Sequence, residues 1–169
     1  MMPKKETHTV NHCFCFATFA DKTTGTIYID MTGKFPYQSL EGMQYVFVCY
    51  DYTTNAILAK PIQDTKNETI EKAFKRTFEY LEHKGFKPCL NIIDNQATSI
   101  IKKYLKTKEC KWQFVEPNNH RVNAAERAIR TFKDHFIAGL CTANEKFPIQ
   151  LWDHMIPQAQ DFLNMLQRA

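Results

Sequence analysis

Three acidic residues stand where a folding chain has little structural reason to put them. Asp30 lies inside an apolar run, Thr26 to Thr32 (TIYIDMT), Asp94 follows a second run, Cys89 to Ile93 (CLNII), and Glu126 falls at the start of a long helical pattern opening at Asn123. In open α/β sheets the crevice beyond the carboxyl ends of the strands is where ligands bind, and a helix starting nearby brings a third oxygen alongside. Three hard carboxylates suit Mg²⁺ or Mn²⁺, and two such ions about 3.5 to 4 Å apart hold both the attacking and the leaving oxygen of a phosphoryl transfer. Each acid also has a duller explanation. Asp94-Asn95 reads equally as a turn or helix cap, and Glu126 as an acid complementing the positive end of a helix. Spacing alone leaves both readings open.

The elements that must position these acids follow from periodicity. A strand is expected from about residue 26 to 31, closed by a turn at Gly33 and Pro36. Gln44 to Tyr52 (QYVFVCYDY) is rich in aromatic and β-branched residues, and the polar Thr53-Thr54-Asn55 leads into Ala56 to Ile62, which predicts a hairpin. Asn67 to His83 carries apolar residues at helical spacing with Gly85 just past its end. A buried strand over Cys89 to Ile93, a short helix over Ser99 to Lys106 and a strand over Trp112 to Val115 follow. Antiparallel pairing at the start and strands alternating with helices afterwards predict an α/β domain with parallel pairing in its second half. Asn123 to about Ala143 forms a long helix with apolar residues at 125, 128, 129, 132, 136 and 140. A last amphipathic helix runs from Leu151 to Leu166 through Trp152, Met155, Ile156, Phe162, Leu163 and Leu166, with Pro157 as a kink or restart.

Composition removes several function classes. The 169 residues make one ordinary domain, and 44% hydrophobic residues supply enough apolar material for a core. No apolar stretch is long enough to span a bilayer, and the start, MMPKKE, is not a secretory signal, so no membrane partner is expected. Five glycines in no phosphate-cradling arrangement leave no site for a nucleotide cofactor. Six cysteines without a CxxC pair, with Cys49 and Cys89 inside apolar runs, fit reduced thiols in an intracellular compartment. His8, His12, Cys13 and Cys15 crowd too closely for a zinc module. The net charge of +4 is concentrated, since residues 99 to 135 hold nine Lys/Arg against four Asp/Glu. That segment is either a basic patch for a polyanion or a set of solvated helix faces. On the long helix, at 100° per residue, Arg130 lies about 40° and Lys133 about 20° from Glu126, opposite the apolar stripe. A DNA backbone beside metal-binding carboxylates would need such a ridge, because phosphate contacts position the substrate.

The ordered set IYIDMTG, LNIIDNQ and EPNNHRVNAAERAIRTFKDHF, followed by LWDHMIPQ, resembles the catalytic core of retroviral and retrotransposon integrases, most of all the copia type. The resemblance spans roughly residues 24 to 167, leaving residues 1–23 as an N-terminal extension or linker and 24–169 as the core domain. It implies a ribonuclease H-like fold, a five-stranded mixed sheet flanked by helices. It further implies a D,D,E triad of Asp30, Asp94 and Glu126 that binds two Mg²⁺ or Mn²⁺ ions. The implied activity is DNA integration: water attacks a phosphodiester in 3′-end processing and a 3′-hydroxyl attacks in strand transfer, both in line. Arg130, Lys133, Arg127, His120 and Asn123 are the expected DNA contacts, with element ends and target DNA as partners. The family works as multimers, so a homo-oligomer is expected, in the nucleus or a virus-like particle of a eukaryotic element. Two departures stand out: the 31 residues between Asp94 and Glu126 are fewer than in the retroviral pattern, and Gln96 replaces a common glycine. Surface loops absorb such shortening readily. The alternatives are a ribonuclease H-type nuclease on the same fold and a catalytically idle, domesticated DNA-binding or assembly domain. The uncapped end at Ala169 is expected of a piece of a longer polypeptide.

Overall fold

The structure, a computed structural model, describes residues 25–93, 99–114 and 122–166. His8, His12, Cys13 and Cys15 lie outside them. Five strands, β1 (Thr26–Met31), β2 (Tyr45–Asp51), β3 (Ile57–Ile62), β4 (Leu90–Ile93) and β5 (Lys111–Phe114), form one sheet in the order β3-β2-β1-β4-β5. The pairs β1/β2 and β2/β3 are antiparallel, while β1/β4 and β4/β5 are parallel. This is the expected mixed sheet with its predicted division of pairing.

Helices cover both faces. Alternate residues of a strand point to opposite sides, so Ile27 and Ile29 of β1 join Phe47, Cys49 and Leu58 in one apolar layer. That layer is closed by Ile70, Phe74, Phe78 and Leu81 of α1 (Asn67–His83) and by Ile101 and Leu105 of α2 (Ser99–Thr107). On the other face Val46, Val48, Ile57 and Ala59 meet Ala128, Ile129, Phe132 and Phe136 of α3 (Val122–Thr142). Burying one such phenylalanine contributes roughly 1.5–3 kcal/mol, whereas a surface pair such as Lys75–Glu71 is screened by solvent and adds little. The apolar stripes therefore hold the layers together. Gly85 ends α1 as predicted: at φ +84° its N–H reaches Glu82 O at 2.9 Å, and the Phe86 N–H reaches Leu81 O at 3.0 Å.

The last helical segment departs from expectation. A 3₁₀ segment (Ile149–Met155) precedes α4 (Ile156–Leu166), and Pro157 sits in the first turn of α4, where its missing N–H has no bond to lose. The break resets the helical phase. Trp152, Ile156 and Leu163 are buried as expected, but Phe162, at 55% exposure, and Leu166 face outward. The new phase turns Gln160 and Asn164 toward the sheet instead. Ala59 N–H donates to Gln160 Oε1 at 2.9 Å, Ile57 N–H donates to Asn164 Oδ1 at 2.8 Å, and Asn164 Nδ2 donates to Ile57 O at 2.9 Å. These bonds occupy the free edge of β3, which would otherwise offer open ladder positions to another strand. Cys89 also departs from expectation: it precedes β4 and is exposed, whereas Cys49 is buried.

Asn164→Ala removes both partners of the Ile57 backbone. We expect a loss of about 2 kcal/mol, since each partly buried group left unpaired costs on the order of 1–3 kcal/mol, and hence a Tm lower by roughly 4–8 °C. Thermal unfolding followed by circular dichroism checks this.

Candidate active site

β1 is central, paired on both sides, and its residues from Thr26 to Ile29 are buried. Asp30 is the first position where the strand meets solvent, and its Oδ1 accepts the Met31 N–H at 2.7 Å. Alternation puts Asp30 on the face of Tyr28, the side covered by α3, which packs on β1 and β2. On the other flank Ile29 pairs with Ile93, the final residue of β4. Asp94 and His120 lie outside the described residues.

Glu126 is exposed on α3, which starts at Val122, so Glu126 falls in the second turn rather than the first. The helix-terminus reading of this acid weakens, because the effect of the macrodipole fades within the first turn. Arg130 is exposed and Lys133 is half-buried on the same helix. Among the described residues no ion pair engages Glu126, Arg130 or Lys133. Asn123 belongs to the first turn of α3. Arg127 is exposed, and its positive charge acts on the Tyr50 phenol, partly opposing the burial that pushes the Tyr50 pKa up.

A tyrosine group lies next to Asp30 that the sequence reading missed. Tyr28 pairs with Tyr50 across β1 and β2, with ring centroids 6.1 Å apart, and Tyr52 lies 6.4 Å from Tyr28. The signal was present: Tyr28 and Asp30 are two residues apart on one strand and must share a face.

Two other features contain none of the three acids. Glu41, Asp153 and His154 bring ligand atoms within 4.8 Å of one another, and His154 Nε2 lies 3.4 Å from Glu41 Oε1. An open apolar cavity of about 390 Å³ between α3 and α4 is lined by His135, Gly139, Met155 and Phe162, among others.

The crystal structure of the catalytic core domain of BIV integrase matches this architecture with a TM-score of 0.65, over 86% of this chain and 87% of that chain. The fold is that of an integrase catalytic core. Sequence identity is 14%, so the likeness is one of fold, and the ribonuclease H-like sheet expected from the sequence is present. No protein-family model and no curated protein sequence matches the chain. No helix among the described residues is long and apolar enough to cross a membrane.

In this integrase-core fold an exposed Glu126 without an ion pair has little structural work to do. Glu126→Gln should change unfolding free energy by less than about 0.5 kcal/mol, the usual range for exposed positions. Urea denaturation measures it, and a loss above about 1.5 kcal/mol would assign Glu126 a structural role.

Proposed function

We propose that the chain is the catalytic core of a retroelement integrase, processing DNA 3′ ends and joining them to target DNA by in-line phosphoryl transfer. The observation that carries this reading is the placement of Asp30 in the integrase-core fold. It is the solvent-facing carboxylate at the carboxyl end of the central strand, on the α3 side and alongside the end of β4. Asp94 is the next residue in the sequence after Ile93, the last of β4, and Glu126 offers an exposed carboxylate on α3.

Three hard oxygen donors, two of them solvent-facing, fit Mg²⁺ or Mn²⁺ better than softer metals. Asp30, Asp94 and Glu126 would hold two such ions, which when bound supply a more acidic nucleophile and charge stabilisation for the leaving oxygen. Arg130 and Lys133 would hold backbone phosphates, with Arg127, His120 and Asn123 as further DNA contacts. The chain would act as a homo-oligomer, and sedimentation showing only monomer at high concentration would remove that part of the reading.

Incubation with Mn²⁺ and a labelled DNA duplex should give end cleavage and joining that Asp94→Asn abolishes. Mn²⁺ at about a hundred times its dissociation constant should stabilise the wild type by roughly 2.7 kcal/mol, and the variant should lose that gain. Without metal, Asp94→Asn should be equally or more stable, because a like charge has been removed from the cluster. Retained activity would sink the triad. DNA binding without metal-dependent cleavage would favour the idle module, and preferential cutting of an RNA/DNA hybrid would favour a ribonuclease H.

Replacing both Arg130 and Lys133 with Ala should weaken binding to all duplex sequences alike, because phosphate contacts carry no base information. The slope of log affinity against log salt should fall by roughly 0.9 per contact, close to two units in all. An unchanged slope would leave that face as solvated surface.

A further inference from the structure

We propose that Cys89 and Cys110 form a thiol–disulfide exchange site that reacts with a small disulfide of the glutathione type and closes into a bridge between the mouths of β4 and β5. Leu90 pairs with Lys111, so one step earlier along both parallel strands stand Cys89 and Cys110. The ladder holds at that step, since the Lys111 N–H donates to Cys89 O at 2.9 Å. Neighbouring strands lie about 4.8 Å apart, within the roughly 4.4–6.8 Å that a disulfide spans between Cα atoms. The faces also agree: Asn91 pairs with Trp112, and the cysteines two residues before them leave the sheet on that same side.

The surroundings divide the labour between the thiols. Cys89 is exposed, and the Cβ position of its neighbour Gly25 lies 3.1 Å from Cys89 Sγ, so only a residue without a side chain leaves that approach open. Cys110 is buried at the start of β5, delivered there by a turn in which Glu109 takes φ 55°. Burial, and then the charge of nearby Cys89, raise the Cys110 thiol to about 11. Among the described residues the two sulfurs make long hydrogen bonds to backbone carbonyls, Cys89 to Lys87 O at 3.3 Å and Cys110 to Lys111 O at 3.5 Å.

The accessible thiol acts first. Cys89, as thiolate, attacks one sulfur of glutathione disulfide; that S–S bond breaks, and one glutathione leaves as a thiolate and takes up a proton. Cys110 then gives up its proton, and its sulfur displaces the second glutathione from Cys89. The protein loses two hydrogens and two electrons, and the small disulfide becomes two thiols. The closed ring contains Asp94 and α2, so oxidation would tether the segment that carries the second acid of the proposed site. The exchange itself does not depend on the integrase reading.

The test incubates the full chain with glutathione disulfide at mildly alkaline pH and maps it by mass spectrometry without reduction. The wild type should lose two hydrogens, and the peptides holding Cys89 and Cys110 should be joined. Cys110→Ser should stop at a glutathione adduct on Cys89, and Cys89→Ser should acquire glutathione at neither position. A wild-type chain that keeps glutathione on Cys89 with Cys110 free, or that joins Cys89 to another cysteine, would overturn the proposal. The wild-type map decides this even if a variant fails to fold.

Discussion

β1 is paired on both edges and covered on both faces, and most of the architecture follows from that. Its backbone groups go into two ladders, antiparallel with β2 and parallel with β4. Ile27 and Ile29 go to the α1/α2 layer, whereas Tyr28 goes to the α3 side. A carboxylate anywhere from residue 26 to 29 would be buried without a partner, at a cost of several kcal/mol. Asp30 avoids this by standing where the strand leaves the interior. The parallel β4 ends at the same level, because Ile93 lies opposite Ile29. One constraint thus fixes both the strength of the core and the location of its exposed acid.

The sheet's outer edge on the β3 side is handled by side chains. Gln160 and Asn164 of α4 supply acceptors and a donor to β3 at Ala59 and Ile57. An amide side chain presents the same C=O and N–H pair as a peptide, so α4 closes the ladder without another strand. The helix can do this only because Trp152 anchors the preceding 3₁₀ segment: its indole stacks on Phe35 with centroids 4.4 Å apart, and its Nε1 donates to Tyr37 O at 2.9 Å. The loop after β1, the α3/α4 layer and the β3 edge are therefore one connected unit.

Much of this was readable in the chain because the relevant patterns are local. Short apolar runs rich in aromatic and β-branched residues announced β1 to β3, Gly85 announced the end of α1, and the residues 128, 129, 132 and 136 announced the buried face of α3. The misreadings share a cause: each depended on where an element's phase or end lies. A continuous helix from Leu151 would have buried Phe162. The break at Ile156 shifts the stripe onto Gln160 and Leu163, and a polar residue on a buried face is invisible to a hydrophobicity pattern until its backbone partner is known. Cys89 looked buried because it adjoins an apolar run, but it precedes the first paired residue of β4. At the site, the strand-end position of Asp30 and the shared face of Tyr28 were legible for the same local reason, whereas Tyr50 and Tyr52 required the pairing register of β1 with β2.

Asn91 marks the limit of a purely structural account of the neighbouring strand. It is fully buried, with an exposure of 0%, between Ile27 and Trp112, and neither its Oδ1 nor its Nδ2 has a hydrogen-bond partner among the described residues. A buried amide in that state costs on the order of 1–3 kcal/mol, about as much as burying one core phenylalanine contributes. The structure gives no packing reason for it, since an apolar residue of similar size would suit a layer built from Ile27, Phe74 and Leu105. Local rules are most often broken near functional sites, and Asn91 sits three residues before Asp94 on the strand that leads to it. Under the function proposed above, β4 would carry this stability cost directly beside the acid that it leads to.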